Sequence, residues 1–408
     1  MAELDSNRKQ DDLTWLENLQ RNSWEPEIII TGLILAFLFI FPAKIYEFSA
    51  YLVQDLGAGF LLSTLVLFYL SVVISVFKIF FIVQLSLRFI WAGLLGLSYA
   101  FPKGVNQEKL FKVAQGYSYQ HPDEMVLRME KICSMTLAYP VSISILILIF
   151  TFYLGSLIAI KVLFNLPFMA IYAFFLISVM AYAILMATMK KNKFKNWYSN
   201  TMLSSVGATY QSNIGKWFTV WYGLIVILLS IPIILNDVKG FDLFFNEKNL
   251  SETDINWPIS EYYFEDVHPE EKRYPRAYAQ SQIMKGSTYK LGLPFYVDDN
   301  KSLASLREEF QDELDSISWG KIEAIPDLYQ IYIDDKPYYP KNWLPLKSSI
   351  SGQKSFETIL YLDSLESGIH ELRVEKVMVF SDFLTNKLKF RHLENWSQIQ
   401  VIIATLIV

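Results

Sequence analysis

The chain has 408 residues, 52% hydrophobic, 16% aromatic and 19% charged, with a formal net charge of −5. That is too apolar and aromatic for an ordinary soluble protein and too polar for a pure membrane bundle, which points to a hybrid. The charge is divided along the chain: residues 1–235 carry 17 Lys/Arg against 13 Asp/Glu, net +4, and residues 236–408 carry 19 against 28, net −9.

Residues 1–26 are polar, and the first apolar run starts near Ile28. A cleavable signal would put a short basic segment directly before a short apolar core. Here Trp15, Leu16, Leu19 and Trp24 sit among charges, the pattern of an amphipathic helix at a membrane interface. The segment reads as retained and cytoplasmic, followed by an uncleaved first span.

Residues 27–235 read as a transmembrane helical domain. A hydrocarbon core about 30 Å thick needs about 20 apolar helical residues, and five segments qualify: Ile28–Tyr46, Gly59–Phe77 with its extension, Val141–Ile160, Leu166–Met189 and Trp217–Leu235. Short-loop lysines set the orientation. Lys190, Lys191, Lys193 and Lys195 follow the fourth span, and Lys216 precedes the fifth. The 102–137 loop carries Lys103, Lys109, Lys112, Arg128 and Lys131. Both loops are expected to be cytoplasmic, so the fifth span delivers everything after Asn236 to the outside.

The run Ala58–Phe101 has no acidic residue and two cations, Lys78 and Arg88. Crossing once from Gly59, about 20 residues bring the helix to Lys78. Lys78 would then snorkel at the inner headgroups, with Arg88 beyond it. Two alternatives are a hairpin turning around Lys78–Arg88 and a pathway lined by both cations. The hairpin has no Gly or Pro between Phe60 and Ala92 to turn on. On the single crossing, residues 79–101 must pack on something, such as the helix starting at Pro122, the inner leaflet or another subunit. A cytoplasmic helical collar in a homo-oligomer or membrane complex is expected, and the Gly93/Gly96 pair would allow close helix approach. The five apolar cores hold no Asp, Glu or His, which disfavours proton- or sodium-coupled transport and leaves a channel open.

Residues 236–286 read as an acidic connecting segment. In "EYYFEDVHPEEKRYP", Glu261, Glu265, Asp266 and His268 could supply metal ligands. The spacing matches neither an EF-hand nor a zinc motif, so a solvated loop is the simpler reading.

From residue 287 to 408 the pattern becomes mostly β and extracytoplasmic. Tyr329, Ile331 and Ile333 alternate, and "FETILYLDSLESGIHELRVEKVMVF" reads as two strands joined by a turn at Glu366–Gly368. Leu303, Leu306, Phe310 and Leu314 mark one amphipathic helix. The terminal "IQVIIATLIV" reads as a last buried strand, or else as a truncated span. The phrase Leu365, Gly368, His370, Leu372, Val374 resembles a strand pair of immunoglobulin-like sandwiches, which implies such a sandwich here.

Cys133, the only cysteine, reads as a packing thiol, so no disulfide is available. No GxSxG, Walker A, HExxH or GxGxxG arrangement occurs, and no catalytic residue or cofactor is assigned. The acidic C-terminal half disfavours nucleic acid. Expected partners are membrane lipids, further subunits, and a protein or glycan for the β domain. The expected function is an integral membrane sensor, receptor or scaffold subunit whose outer domain binds a partner. The alternatives are a subunit of an oligomeric ion channel or transporter, and an enzyme at a membrane face.

Overall fold

A computed structural model of the chain describes residues 24–164, 168–188, 199–245, 260–363, 365–381 and 387–404. The expectations for the amphipathic N-terminus and for the lysines at 190–195 fall outside these residues. The first half is helical: α1 (Trp24–Gln54), α2 (Phe60–Ala100), α3 (Pro122–Phe164), α4 (Phe168–Thr188), α5 (Met202–Asn213) and α6 (Lys216–Asp237). Four stretches within these helices are long and apolar enough to cross a membrane: Ile28–Gln54, Phe60–Ala100, Pro122–Ile160 and Val220–Asp237. The described part of the expected fourth span is a shorter apolar helix, Met169–Leu185.

α2 is one unbroken helix of 41 residues, about 60 Å long at 1.5 Å per residue. The run Ala58–Phe101 therefore does not fold back as a hairpin. Its length is about twice the ~30 Å hydrocarbon thickness, so only part of it can lie in lipid.

The chain divides into two compact units, and the division cuts through α1 and α2. Unit 1 comprises Met1–Phe41 and Val72–Ile234; unit 2 comprises Pro42–Ser71 and Leu235–Val408. The linked ends of the first two helices, expected to belong wholly to the membrane domain, thus belong with the β-rich half.

Unit 1 is built around Leu38, Val76, Phe77, Ile79, Phe80 and Val226. Tyr139 of α3 lies among three other rings, with centroids 5.5 Å from Phe80, 6.0 Å from Tyr210 and 5.2 Å from Tyr222. Thr136 donates to the Gln84 side chain at 2.6 Å, a polar tie between α2 and α3. Cys133 is fully buried, as expected of a packing thiol.

Unit 2 carries two sheets. The strands are β1 (Tyr278–Ala279), β2 (Ile283–Lys285), β3 (Thr288–Pro294), β4 (Tyr329–Ile333), β5 (Lys336–Tyr338), β6 (Leu344–Lys347), β7 (Lys354–Tyr361), β8 (Gly368–Ser381) and β9 (Leu388–Ala404). One sheet has the order β1-β3-β7-β6 and the other β2-β9-β8-β4-β5. The alternation in "YQIYI" works as expected: Tyr329, Ile331 and Ile333 are buried and the residues between them half-buried. Tyr289 and Leu360 of the first sheet line one small apolar gap with Ile333, Leu372, Val401 and Ile403 of the second. "IQVIIA" is the end of β9, with Ile399, Val401 and Ile403 buried.

β2 pairs with β9 in parallel. Three features depart from the sequence expectations. The connecting segment supplies β1 and β2, so the β fold begins before residue 287. The strands flanking Glu366–Gly368 are β7 and β8, which belong to different sheets. The single helix through Leu303–Leu314 is two, α7 (Asp298–Glu308) and α8 (Gln311–Ser316). Phe310 leaves helical geometry between them, at φ −124° and ψ 31°, and its ring stacks on Phe390 at 6.3 Å.

Candidate functional site

The most developed polar site in unit 2 is centred on Arg273, which is 6% exposed. Its Nη1 donates to Asp55 Oδ2 at 2.5 Å and its Nη2 to the Ser351 carbonyl at 3.2 Å. Its backbone N–H donates to Glu47 Oε1 at 3.2 Å, and the guanidinium lies 5.3 Å from the Tyr51 ring centroid. The partners reflect helical spacing: Glu47, Tyr51 and Gln54 follow one another at four and three residues on one face of α1, and Asp55 comes directly after its end. Lys354 at the start of β7 adds a second cation on Asp55, 3.2 Å from Oδ1.

Gln54 and Gln353 close the site. Each donates its amide to the Tyr274 carbonyl, at 2.9 Å and 2.7 Å, and Gln353 also donates to Gln54 Oε1 at 3.3 Å. Beside them the α1–α2 turn docks on α7, with the Val297 N–H donating to the Gln54 carbonyl at 2.8 Å. Gly57 has φ +58°, and a Cβ there would meet Val297 and Asp298 at 2.8 Å, so glycine is required on both counts. Aromatic rings extend the contact: Phe60 stacks on Phe245 at 4.6 Å, and Tyr46 packs edge-on to Phe241 at 5.5 Å. These groups hydrogen-bond one another, so the arrangement acts by holding two helix ends to the β fold.

A cleft of about 470 Å³ opens elsewhere in unit 2, lined by Phe264, Asp266, Gln280, Gln282, Ile283 and Tyr289 among others. It lies between the start of β3 in one sheet and β2 of the other, beside the Gln280–Gln282 segment that follows β1. Amide, carboxylate and aromatic groups together suit a polar ligand with some apolar surface, such as a peptide or a sugar.

The acidic residues singled out in the sequence are dispersed. Glu265 pairs with Lys290 at 2.6 Å, and Glu261 lies 3.9 Å from Lys272. Asp266 lines the cleft. His268 is buried, with Nδ1 against the Glu261 carbonyl and Nε2 against the Lys272 carbonyl at 3.0 Å. Burial pushes its imidazole below the ordinary value, against those two carbonyls. Its ring stacks on Tyr274 at 3.7 Å, and Tyr274 stacks on Tyr278 at 4.0 Å. Among the described residues, no group of three or more His, Cys, Asp or Glu is placed to hold a metal ion.

Lys78 and Arg88 differ from their expected setting. Rather than reaching out as free snorkelling cations, both are buried in unit 1, 5% and 3% exposed. Arg88 Nη1 is 3.0 Å from Glu130 Oε2 on α3. Lys78 Nζ lies 5.4 Å from the Phe39 ring centroid.

Sequence reasoning missed the Arg273 site because its members lie far apart in the chain. The one local signal was the run of Glu47, Gln54 and Asp55 at the end of the first apolar segment, where headgroup-facing residues are ordinary. No protein-family model matches the chain, nor does any curated protein or solved structure.

Proposed function

We propose that the protein is an integral membrane sensor or receptor subunit. Its β-rich unit lies outside the membrane and binds a partner, and α1 and α2 carry the effect inward. The single observation that supports this reading is the Arg273–Asp55 ion pair with its surrounding network. It fixes the ends of α1 and α2 within the β-rich unit, so a strain in that fold reaches two helices that continue as apolar segments. In this reading the helical half spans the membrane, its basic loops are cytoplasmic, and the two sheets form an immunoglobulin-like sandwich. Residues of both sheets around the shared apolar gap support the sandwich. The cleft beside Gln282 is the partner site.

The test is a photoreactive side chain in place of Gln282 in intact cells, with a second at Lys347, which is also exposed but on β6. A cross-linked protein or glycan adduct from position 282 and none from 347 supports the reading; adducts from neither, or equally from both, oppose it.

A second reading, a subunit of an oligomeric ion channel, is favoured by one observation. Lys78 is a cation buried within an apolar helix, with no carboxylate within ion-pair distance among the described residues. Ion flux through liposomes containing the purified protein, changed in charge selectivity by Lys78→Gln, would establish this reading and displace the first.

A further inference from the structure

Lys376 and Asp299 are set apart from the other charged residues of unit 2. Their side chains are 0% and 1% exposed, and Lys376 Nζ lies 2.7 Å from Asp299 Oδ1. Lys376 follows Val374 by two residues, so strand alternation sets it on the same buried face of β8, and the pairing with β9 shifts register between the two. Its Nζ is walled by three rings, with centroids 4.9 Å away for Tyr296, 5.0 Å for Tyr329 and 5.2 Å for Trp396. Tyr329 donates its hydroxyl to the other carboxyl oxygen, Asp299 Oδ2, at 3.0 Å. Ser302, three residues further along α7, clamps that helix to β8: its Oγ donates to the Val379 carbonyl at 3.2 Å and accepts from the Val379 N–H at 3.1 Å.

A buried ion pair is costly to keep charged, because both groups have given up their hydration. Burial pushes the Lys376 amine below its ordinary value, and Arg276, itself buried, acts in the same direction against Asp299. Passing one proton from Nζ to the carboxylate neutralises both partners and leaves an amine facing a carboxylic acid. The fold holds that pair in place, so no encounter step is needed.

We propose that Lys376 and Asp299 are joined by an intramolecular isopeptide bond that forms without an enzyme once the unit has folded. The neutral Nζ attacks Asp299 Cγ, and the charge developing on Oδ2 is stabilised by the Tyr329 hydroxyl. The Cγ–Oδ1 bond then breaks, and Oδ1 leaves as water with the two protons that came from the ammonium group. The step is a condensation: nothing is oxidised or reduced, and no co-reactant is consumed. The ring walls exclude bulk water and so oppose hydrolysis of the amide. The product ties α7 to β8 covalently in a chain that has no disulfide to do so.

The test is mass spectrometry of the full chain purified from membranes, intact and after proteolysis. The expected result is a chain one water lighter than its sequence and a branched peptide carrying Asp299 and Lys376. Lys376→Arg should restore the full mass. Asp299→Asn should form the same bond by losing ammonia in place of water. Full mass and linear peptides for the unaltered chain would overturn the proposal and leave an ordinary buried ion pair, as would water loss located elsewhere. The unaltered chain decides by itself if a variant does not accumulate.

Discussion

Arg273 and Asp55 are 218 positions apart in the chain and form a near-buried ion pair, with side chains 6% and 13% exposed. Arg273 is also close to a second carboxylate, 3.9 Å from Glu47 Oε2. Arg273→Gln would leave two largely buried carboxylates with much of their compensation removed, a change that costs about 3–5 kcal/mol in buried pairs. Lys354, half exposed, contributes to the same carboxylate from the rim, and an exposed pair is worth under about 1 kcal/mol. Thermal unfolding of the detergent-solubilised chain should therefore fall steeply for Arg273→Gln and barely move for Lys354→Gln.

Arg88 and Glu130 test the helical unit. Arg88 is 3% exposed but Glu130 is 36% exposed, so Glu130 keeps part of its hydration when its partner is removed. Arg88→Gln should destabilise by about 1–3 kcal/mol, the cost of an orphaned polar partner. Adding Glu130→Gln should recover part of that loss. A double-mutant cycle in detergent measures the coupling, and additive losses would show the pair to be incidental.

His370 gives a pH dependence of defined sign. Its Nδ1 meets Asp334 Oδ2 at 2.5 Å, and that hydrogen bond raises the imidazole above its ordinary value while Asp334 is lowered. A raised base stabilises fully below its unfolded value, about 6.5, and loses that stabilisation as pH rises through the folded value. The lowered carboxylate stabilises above about 3.9 and loses its effect as pH falls. The pair thus supports the fold in mildly acidic solution and fades on alkalinisation. Buried His268 has the opposite sign and favours the fold above about 6.5. Melting temperatures across pH should show the alkaline loss flattened by His370→Gln and the acid loss flattened by His268→Gln.

Gly292 is a position where an added methyl group would meet a ring directly. A Cβ there would come within 2.1 Å of the Tyr278 ring, which covers this glycine from the neighbouring strand. The Tyr278 hydroxyl is held by Ser355 and Glu357, each at 2.9 Å, so the ring cannot swing away freely. Overpacking of this kind costs about 1–3 kcal/mol, and Gly292→Ala should lie at the upper end. Gly320→Ala, with nothing within 4 Å of its Cβ, should be near neutral.

The sequence reveals local patterns and hides long-range partners. Alternation at Tyr329, Ile331 and Ile333 was legible because the side-chain period of a strand is two residues. The apolar runs were legible because composition and length alone define a helix able to span lipid. Gly292 within "YKLGLPF" carries the signal of a strand glycine approached closely by a neighbour. The partnership of Arg273 with Asp55 was hidden, since an Arg in "EKRYP" and an Asp after an apolar run each read as ordinary surface residues. Lys376 was hidden for a related reason. In "LRVEKVMVF" alternation sets Lys376 on the face of Leu372 and Val374, but nothing local names Asp299 of α7 as its partner.

The topology that places unit 2 outside the membrane is the claim on which the functional reading depends. Asn300 and Lys103 are both exposed and lie in different units. On a Cys133→Ser background, intact cells carrying Asn300→Cys should react with a membrane-impermeant thiol reagent, and cells carrying Lys103→Cys should react only after permeabilisation. Labelling of position 300 only after permeabilisation, or of position 103 before it, would contradict the account.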